Sequence, residues 1–131
     1  MEGTMGDADT TLQQLKDRMD RFVKERDWEQ FHSPKNLSMS IAIEAAELME
    51  HFQWLTVEQS KQLSPDELSE IGEELADIVI YSLSLSNVLG LDLSQTIVDK
   101  MAKNIRKYPR DKVRGKAHKY TYYQRQDESG S

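Results

Sequence analysis

The chain has 131 residues, no cysteine and a formal net charge of −6, and its isoelectric point is near 5.1. This length fits one domain with one core. The acidic balance excludes a generic binder of nucleic-acid polymers, which needs a basic surface. The lack of cysteine excludes disulfides, thiol catalysis and cysteine-ligated zinc. No apolar run has the length of a signal peptide or a membrane span, so a cytoplasmic protein without a membrane partner is expected.

The first quarter of the chain predicts a disordered start at residues 1–9 and then one amphipathic helix. The helix begins at Thr10 or Thr11 and ends near Asp27. Its apolar face is expected to carry Leu12, Leu15, Met19 and Phe22, and the residues expected away from that face are Lys16, Asp17, Arg21 and Lys24. An aromatic link, residues 28–32, follows it.

Two start signals of the same kind predict the second and third helices. Ser33-Pro34 offers a capping hydroxyl followed by a proline at the first helical position, and this helix is expected to run to about Leu55. After a polar connector, residues 56–63, the segment from Ser64 to Glu67 has the pattern of a capping box. The third helix then runs to Leu89 and ends at Gly90.

A fourth helix, capped by Asp92 or Ser94 and ended by Tyr108-Pro109, completes the predicted fold. No segment alternates with the period of a strand, so the sequence predicts an all-α four-helix bundle over residues 10–109, followed by a basic and then polar tail at 110–131. The third helix is apolar nearly all round. It therefore also predicts self-association, as a homodimer or homotetramer.

The second helix carries two carboxylates in an unusual position. With about 100° per residue, Glu44 lies at the margin of the apolar stripe and Glu47 lies just beyond it. A solvated acidic face would lie opposite the stripe. The offset therefore predicts a pocket bordered by these two side chains.

The third helix repeats this offset in the same phase, with Glu74 at the margin and Asp77 beyond it. If the two helices pack antiparallel, the four carboxylates converge, which is costly unless a cation lies between them. Oxygen ligands without cysteine or a paired histidine favour Mg²⁺, with Mn²⁺ as a possible substitute. A di-iron site of the ferritin type is disfavoured because it needs Glu-x-x-His pairs.

Polar and aromatic residues elsewhere complete a predicted binding pocket. Lys100 and Asn104 lie one turn apart on the fourth helix and suit phosphate oxygens. Three aromatic residues could stack on a base, namely Trp28, Trp54 and Tyr81. His32 and His51 lie near helix ends, where histidines are usually structural, and neither is included in the catalytic set. The set as a whole describes a nucleoside polyphosphate pocket.

These motifs resemble the signature of the all-α nucleoside triphosphate pyrophosphohydrolases of the MazG type, and in particular the dCTP pyrophosphatase branch. The resemblance rests on the two acidic pairs and on three blocks, residues 25–32, 47–54 and 73–81. The patterns at residues 100–109 and 116–120 extend it, so that it covers residues 12 to 120.

The resemblance implies Mg²⁺-dependent hydrolysis of a dNTP, most simply dCTP or a modified dCTP, to the monophosphate and pyrophosphate. The implied metal ligands and catalytic residues are Glu44, Glu47, Glu74 and Asp77, and the implied substrate contacts are Trp28, Trp54, Tyr81, Lys100 and Asn104. It also implies a tetramer of helical protomers. Met19 stands where the vertebrate dCTP enzyme carries a histidine, so base recognition is expected to differ more than the reaction does. The alternative is a non-catalytic helical oligomer that binds another protein.

Overall fold

A computed structural model describes residues 5–115, and helices are the regular secondary structure of this part of the chain. The predicted all-α class is confirmed. The helices are α1 (Leu12–Glu25), α2 (Pro34–Glu50), α3 (Val57–Ser60), α4 (Pro65–Leu89), α5 (Leu93–Lys107) and α6 (Arg110–Val113), with a 3₁₀ turn at Glu29–Phe31.

Side chains at the predicted start signals cap the long helices. Ser33 Oγ accepts a hydrogen bond from the backbone N–H of Asn36 at 3.2 Å, and Ser64 Oγ accepts one from Glu67 at 3.1 Å. Each satisfies one of the N–H groups that have no partner within the helix. Asp92 caps α5 in the same way. The predicted starts of α2 and α4 are therefore observed, and of the two predicted caps of α5 the structure has Asp92.

The helix ends differ from the predicted ones by a few residues. α1 ends at Glu25 because Asp27 takes a left-handed conformation, with φ of 53°, and the chain turns back. α2 ends at Glu50, and separate turns follow it. The predicted polar connector contains α3, which is nucleated by a capping box between Thr56 and Gln59.

α4 is the central helix of the first of two compact units, whose described residues are 5–91 and 92–115. Within the first unit α4 packs against both α1 and α2. The most buried apolar side chains of the described residues are one from each of these helices, Val23, Leu37 and Leu83. α5 and α6 belong to the second unit.

Lys16 is buried, although the sequence predicted it away from the apolar face. Its side chain is only 9% exposed, and its ammonium donates a hydrogen bond to the carbonyl oxygen of Leu91 at 2.7 Å. Asn87 donates from its amide to the carbonyl oxygen of Lys16 at 3.0 Å. The long aliphatic stem can cover apolar surface while the ammonium finds an acceptor. The buried side of α1 thus includes Lys16 and Val23, and Leu15 and Phe22 are left exposed.

Parts of both predicted terminal segments lie outside the described residues, namely 1–4 and 116–131. Residues 110–115, at the start of the predicted tail, include α6. Among the described helices, none alone has both the length and the apolar character of a membrane span; α4 and α5 meet those criteria only when counted together.

Two glycines, Gly72 and Gly90, provide a test of where α4 ends. Gly90 ends α4 with φ of 66°, a left-handed conformation that strains any residue with a Cβ. A Cβ at Gly90 would meet no atom within 4 Å, so only this backbone strain should act. Gly90→Ala should therefore lower the free energy of unfolding by about 1 kcal/mol. Gly72 lies inside α4 with equally open space, so Gly72→Ala should instead stabilise by roughly 0.5–1 kcal/mol. Urea denaturation of both variants measures the two signs, and equal signs would contradict the assigned helix end.

Candidate metal centre and adjoining cavity

Three carboxylates from two helices converge in the first unit. Packing of α2 against α4 brings Glu44 close to Glu74 and Asp77, and one oxygen of each lies within 4.8 Å of the others. All three side chains are half-buried. The predicted convergence of the two acidic helix edges is therefore present for these three residues.

Glu47, the fourth predicted acid, lies beside Glu44 rather than within this group of three. A hydrogen bond between the two carboxyl groups raises the pKa of Glu44 to about 7, and burial adds to this effect. The negative charges of Glu47, Asp77 and Glu74 raise it further. Without a cation, the Glu44 carboxyl is therefore about half protonated at neutral pH, because the hydrogen bond with Glu47, burial and the neighbouring charges all favour its neutral form.

The donor set fits a hard divalent cation. Glu44 Oε2 and Glu74 Oε2 are buried and have no hydrogen-bond partner among the described residues. Buried carboxylate oxygens normally have partners, so these two are available as ligands. The three carboxylates offer oxygen only, which is the ligand type that Mg²⁺ and Mn²⁺ prefer.

His51 also reaches this centre, although the sequence analysis left it out. Its Nε2 lies 3.7 Å from Glu74 Oε1, and both side chains are half-buried. This distance is too long for a hydrogen bond but short enough for His51 to influence the orientation of the Glu74 carboxylate. The signal was available, since His51 lies four residues after Glu47 on the same edge of α2.

An open cavity of about 700 Å³ begins at Asp77, and we call it the aromatic cavity. Trp28 and Tyr81 line it, together with Phe22, Met19 and His32 from α1 and the link that follows. Phe22 and Trp28 meet edge to face, with ring centroids 5.7 Å apart. Two predicted aromatic contacts, Trp28 and Tyr81, thus lie in one cavity with a predicted metal ligand.

The remaining predicted contacts are Trp54 and two residues of the second unit. Trp54 follows the end of α2, and 86% of its surface is exposed. Lys100 and Asn104 are exposed side chains one turn apart on α5, in the second unit. Their predicted roles stay predictions.

Comparison with known proteins identifies relatives over most of the chain. Residues 39–122 match the model of the MazG-like family. The chain is 41% identical over 116 residues to dCTP pyrophosphatase 1 of Bos taurus, a match that covers 87% of this chain and 69% of the relative. It is 39% identical over 113 residues to dCTP pyrophosphatase 1 of Homo sapiens, covering 85% of this chain and 66% of that protein. The chain thus spans about two thirds of these relatives.

A solved structure resembles the fold. It is the crystal structure of a pyrophosphatase from Archaeoglobus fulgidus DSM 4304, which is 35% identical in sequence and superposes with a TM-score of 0.71. The match covers 83% of this chain and 98% of the archaeal one.

The raised pKa of Glu44 has a measurable consequence for stability. Between pH 4.5, the ordinary value, and about 7, the folded chain binds a proton at Glu44 that the unfolded chain has released. The metal-free protein should therefore lose unfolding free energy as pH rises through this window, on the order of 2 kcal/mol from this group. Glu44→Gln should remove that loss.

The measurement is urea denaturation in a chelator at pH 5 and pH 8. Glu50→Gln is the matched control, since it removes one acid from the exposed side of α2 and should keep the wild-type pH dependence. If Glu44→Gln and wild type lose equal unfolding free energy between the two pH values, the raised pKa assigned to Glu44 is wrong.

Proposed function

The chain belongs to the MazG-like family, and we propose that it is a Mg²⁺-dependent pyrophosphohydrolase that converts a deoxynucleoside triphosphate to the monophosphate and pyrophosphate. The predicted resemblance is confirmed, and the chain is a hydrolase of the nucleotide pyrophosphatase class. The substrate, dCTP or a modified dCTP, and the identity of the metal are the proposed parts. Removal of surplus or modified nucleotides from the cellular pool is the proposed role.

The observation that carries the proposal is that the three carboxylates lie next to the aromatic cavity. Asp77 belongs to both, since its carboxylate is near Glu44 and Glu74 and its side chain lines the cavity. A nucleotide has an anionic end that needs a cation and a flat apolar end that stacks on aromatic rings. The three carboxylates and the aromatic cavity adjoin, as the phosphate end and the base end of one nucleotide require.

Charge and proton transfer are divided among the acids in this proposal. A divalent cation held by Glu44, Glu74 and Asp77 would neutralise phosphate charge and lower the pKa of a bound water. Glu47 is hydrogen-bonded to Glu44 and lies outside the group of three, so its carboxylate is not committed to the cation and would accept a proton from the attacking water. His51 helps to hold the Glu74 carboxylate in place.

The substrate is proposed to contact both aromatic and polar side chains. Trp28 and Tyr81 stack on the base and sugar within the aromatic cavity. Trp54 contributes a further stacking surface, and Lys100 and Asn104 bind phosphate oxygens.

Self-association is proposed because one side of α4 carries exposed apolar side chains among the described residues. Leu68, Leu75 and Val79 recur at helical spacing and are 59%, 53% and 42% exposed. Apolar stripes of this kind commonly mark protein contacts. A second copy of the chain would cover the stripe in a homodimer or homotetramer. A cytoplasmic location is proposed as well.

Pyrophosphate release is the direct test of the activity. The purified protein is assayed with the four dNTPs and the four NTPs, with and without Mg²⁺. Release should require Mg²⁺ and should be greatest for dCTP or another pyrimidine deoxynucleotide. Asp77→Asn should lower kcat/KM by at least about 100-fold, because it removes a metal ligand.

Glu73→Gln is the matched control, because Glu73 is an exposed acid four residues before Asp77 on α4 and lies outside the group of three. It should keep wild-type turnover. Full activity in Asp77→Asn, with folding unchanged by circular dichroism, would exclude the proposed metal site. No release from any nucleotide by the wild type would favour the alternative of a non-catalytic helical oligomer.

The uncovered stripe on α4 predicts the effect of a single charge. Leu75→Lys should reduce the mass measured by light scattering, because a lysine at the centre of a contact would be desolvated. Ser69→Lys, at an exposed polar position of the same helix, should leave the mass unchanged. A monomeric wild type, or equal masses for Leu75→Lys and wild type, would contradict self-association through this stripe.

A further inference from the structure

A second cavity, of about 490 Å³, adjoins the aromatic cavity, and we call it the serine cavity. It lies between α1, the start of α2 and the C-terminal part of α4. Met19 and His32 line both cavities, so these two side chains form a shared wall. The two cavities therefore meet at Met19 and His32.

Two residues that line the serine cavity each carry a buried polar atom with no hydrogen-bond partner among the described residues. Ser84 is 3% exposed, and its hydroxyl makes no hydrogen bond within the described residues. Nδ1 of His32 is also buried without a partner. A buried hydroxyl without a hydrogen bond costs free energy, so a group that supplies the missing bonds should bind here.

The neighbouring serines of α4 show that Ser84 is different. Ser82 donates to the carbonyl oxygen of Ile78 at 2.7 Å, and Ser86 donates to that of Leu83 at 2.8 Å. Both hydroxyls are satisfied on their own helix, which is the usual solution for a serine inside a helix. Only Ser84, of these three, lines the cavity.

The position of Ser84 along α4 gives the distance from the metal centre. Asp77, Tyr81 and Ser84 follow one another at spacings of four and three residues, so they lie on one side of the helix. Seven residues of α-helix span roughly 10.5 Å along the axis. This is comparable with the extent of a nucleotide from its α-phosphorus to the far edge of its base. Phosphate at Asp77, an aromatic contact at Tyr81 and the base edge at Ser84 are therefore in the right order.

The charges of the side chains that line the serine cavity favour a neutral polar group over phosphate. Its one Lys or Arg side chain is Lys24, which pairs with Asp20 at 2.8 Å. Glu29 adds a further negative charge to the lining. A phosphate would meet net repulsion here, whereas an amino, carbonyl or hydroxyl group would meet hydrogen-bonding partners.

We propose that the nucleobase of the substrate reaches from the aromatic cavity into the serine cavity, where Ser84 Oγ and His32 Nδ1 hydrogen-bond to its polar exocyclic groups. Ser84 is then a residue that determines base specificity. This inference rests on the proposed function and adds to it a binding site for the base edge.

The test compares Ser84→Ala with Ser86→Ala, which makes the same chemical change at an equally buried serine whose hydroxyl is already satisfied. Activity on the best dNTP is measured with each of two classes of inhibitor, the four 2′-deoxynucleosides and inorganic pyrophosphate. Ser84→Ala should raise KM and the inhibition constant of the best deoxynucleoside about tenfold, leaving kcat and inhibition by pyrophosphate unchanged. Ser86→Ala should change none of these constants.

Thermal unfolding of the ligand-free proteins separates a binding role from a structural one. Ser84→Ala removes an unsatisfied hydroxyl and should raise Tm, whereas Ser86→Ala removes a hydrogen bond and should lower it. If Ser84 contributes to binding at the expense of stability, Ser84→Ala should weaken deoxynucleoside binding and raise Tm.

Two outcomes would overturn the inference. One is unchanged deoxynucleoside inhibition in Ser84→Ala, which would mean that the cavity holds only solvent. The other is an equal weakening of pyrophosphate and deoxynucleoside, which would mean that Ser84 does not read the base. Failure of the proposed function is distinguishable, because the wild type would then release pyrophosphate from no nucleotide.

Discussion

Convergence of like charges on two packed helices is the constraint on which the site depends. Glu44 on α2 and the pair Glu74 and Asp77 on α4 are held within a few ångströms by helix packing. The hydrogen bond with Glu47, burial and the crowded charges raise the pKa of Glu44 to about 7, and one oxygen each of Glu44 and Glu74 is buried without a partner among the described residues. A divalent cation would offset this cost, so the same contacts that weaken the metal-free fold would favour metal binding. Stability given up at a functional site in this way is a general pattern in enzymes.

α4 contributes both to the candidate metal centre and to the cavities of the first unit. It packs against α2 to form the carboxylate group, and it packs against α1 to form the walls of the two cavities. One side of the helix presents a carboxylate, a phenol and a hydroxyl in succession, at Asp77, Tyr81 and Ser84. Lys16 on α1 is hydrogen-bonded to Leu91 and to Asn87, and these bonds hold α1 against the C-terminal end of α4, where Asn87 also lines the serine cavity.

Periodicity and capping predicted much of this arrangement, because both are local properties of the sequence. The starts of α2 and α4 follow from Ser33-Pro34 and Ser64-Pro65, and the acids follow from their phase relative to the apolar stripes. Contacts that depend on how the helices meet were not predictable in this way. Lys16 was assigned to the surface because its burial requires a carbonyl acceptor 75 residues away in sequence. Ser84 resembles its neighbours in sequence, and only packing shows that its hydroxyl lacks a partner.

The most direct test of the account is a titration with Mn²⁺, followed by electron paramagnetic resonance of the free ion, without any nucleotide present. The wild type should remove Mn²⁺ from the free pool, added Mg²⁺ should displace it, and Glu44→Gln or Asp77→Asn should lose most of the binding. A wild type that leaves all of the Mn²⁺ free, or that binds it equally well in both variants, would contradict the claim that these carboxylates form a metal site.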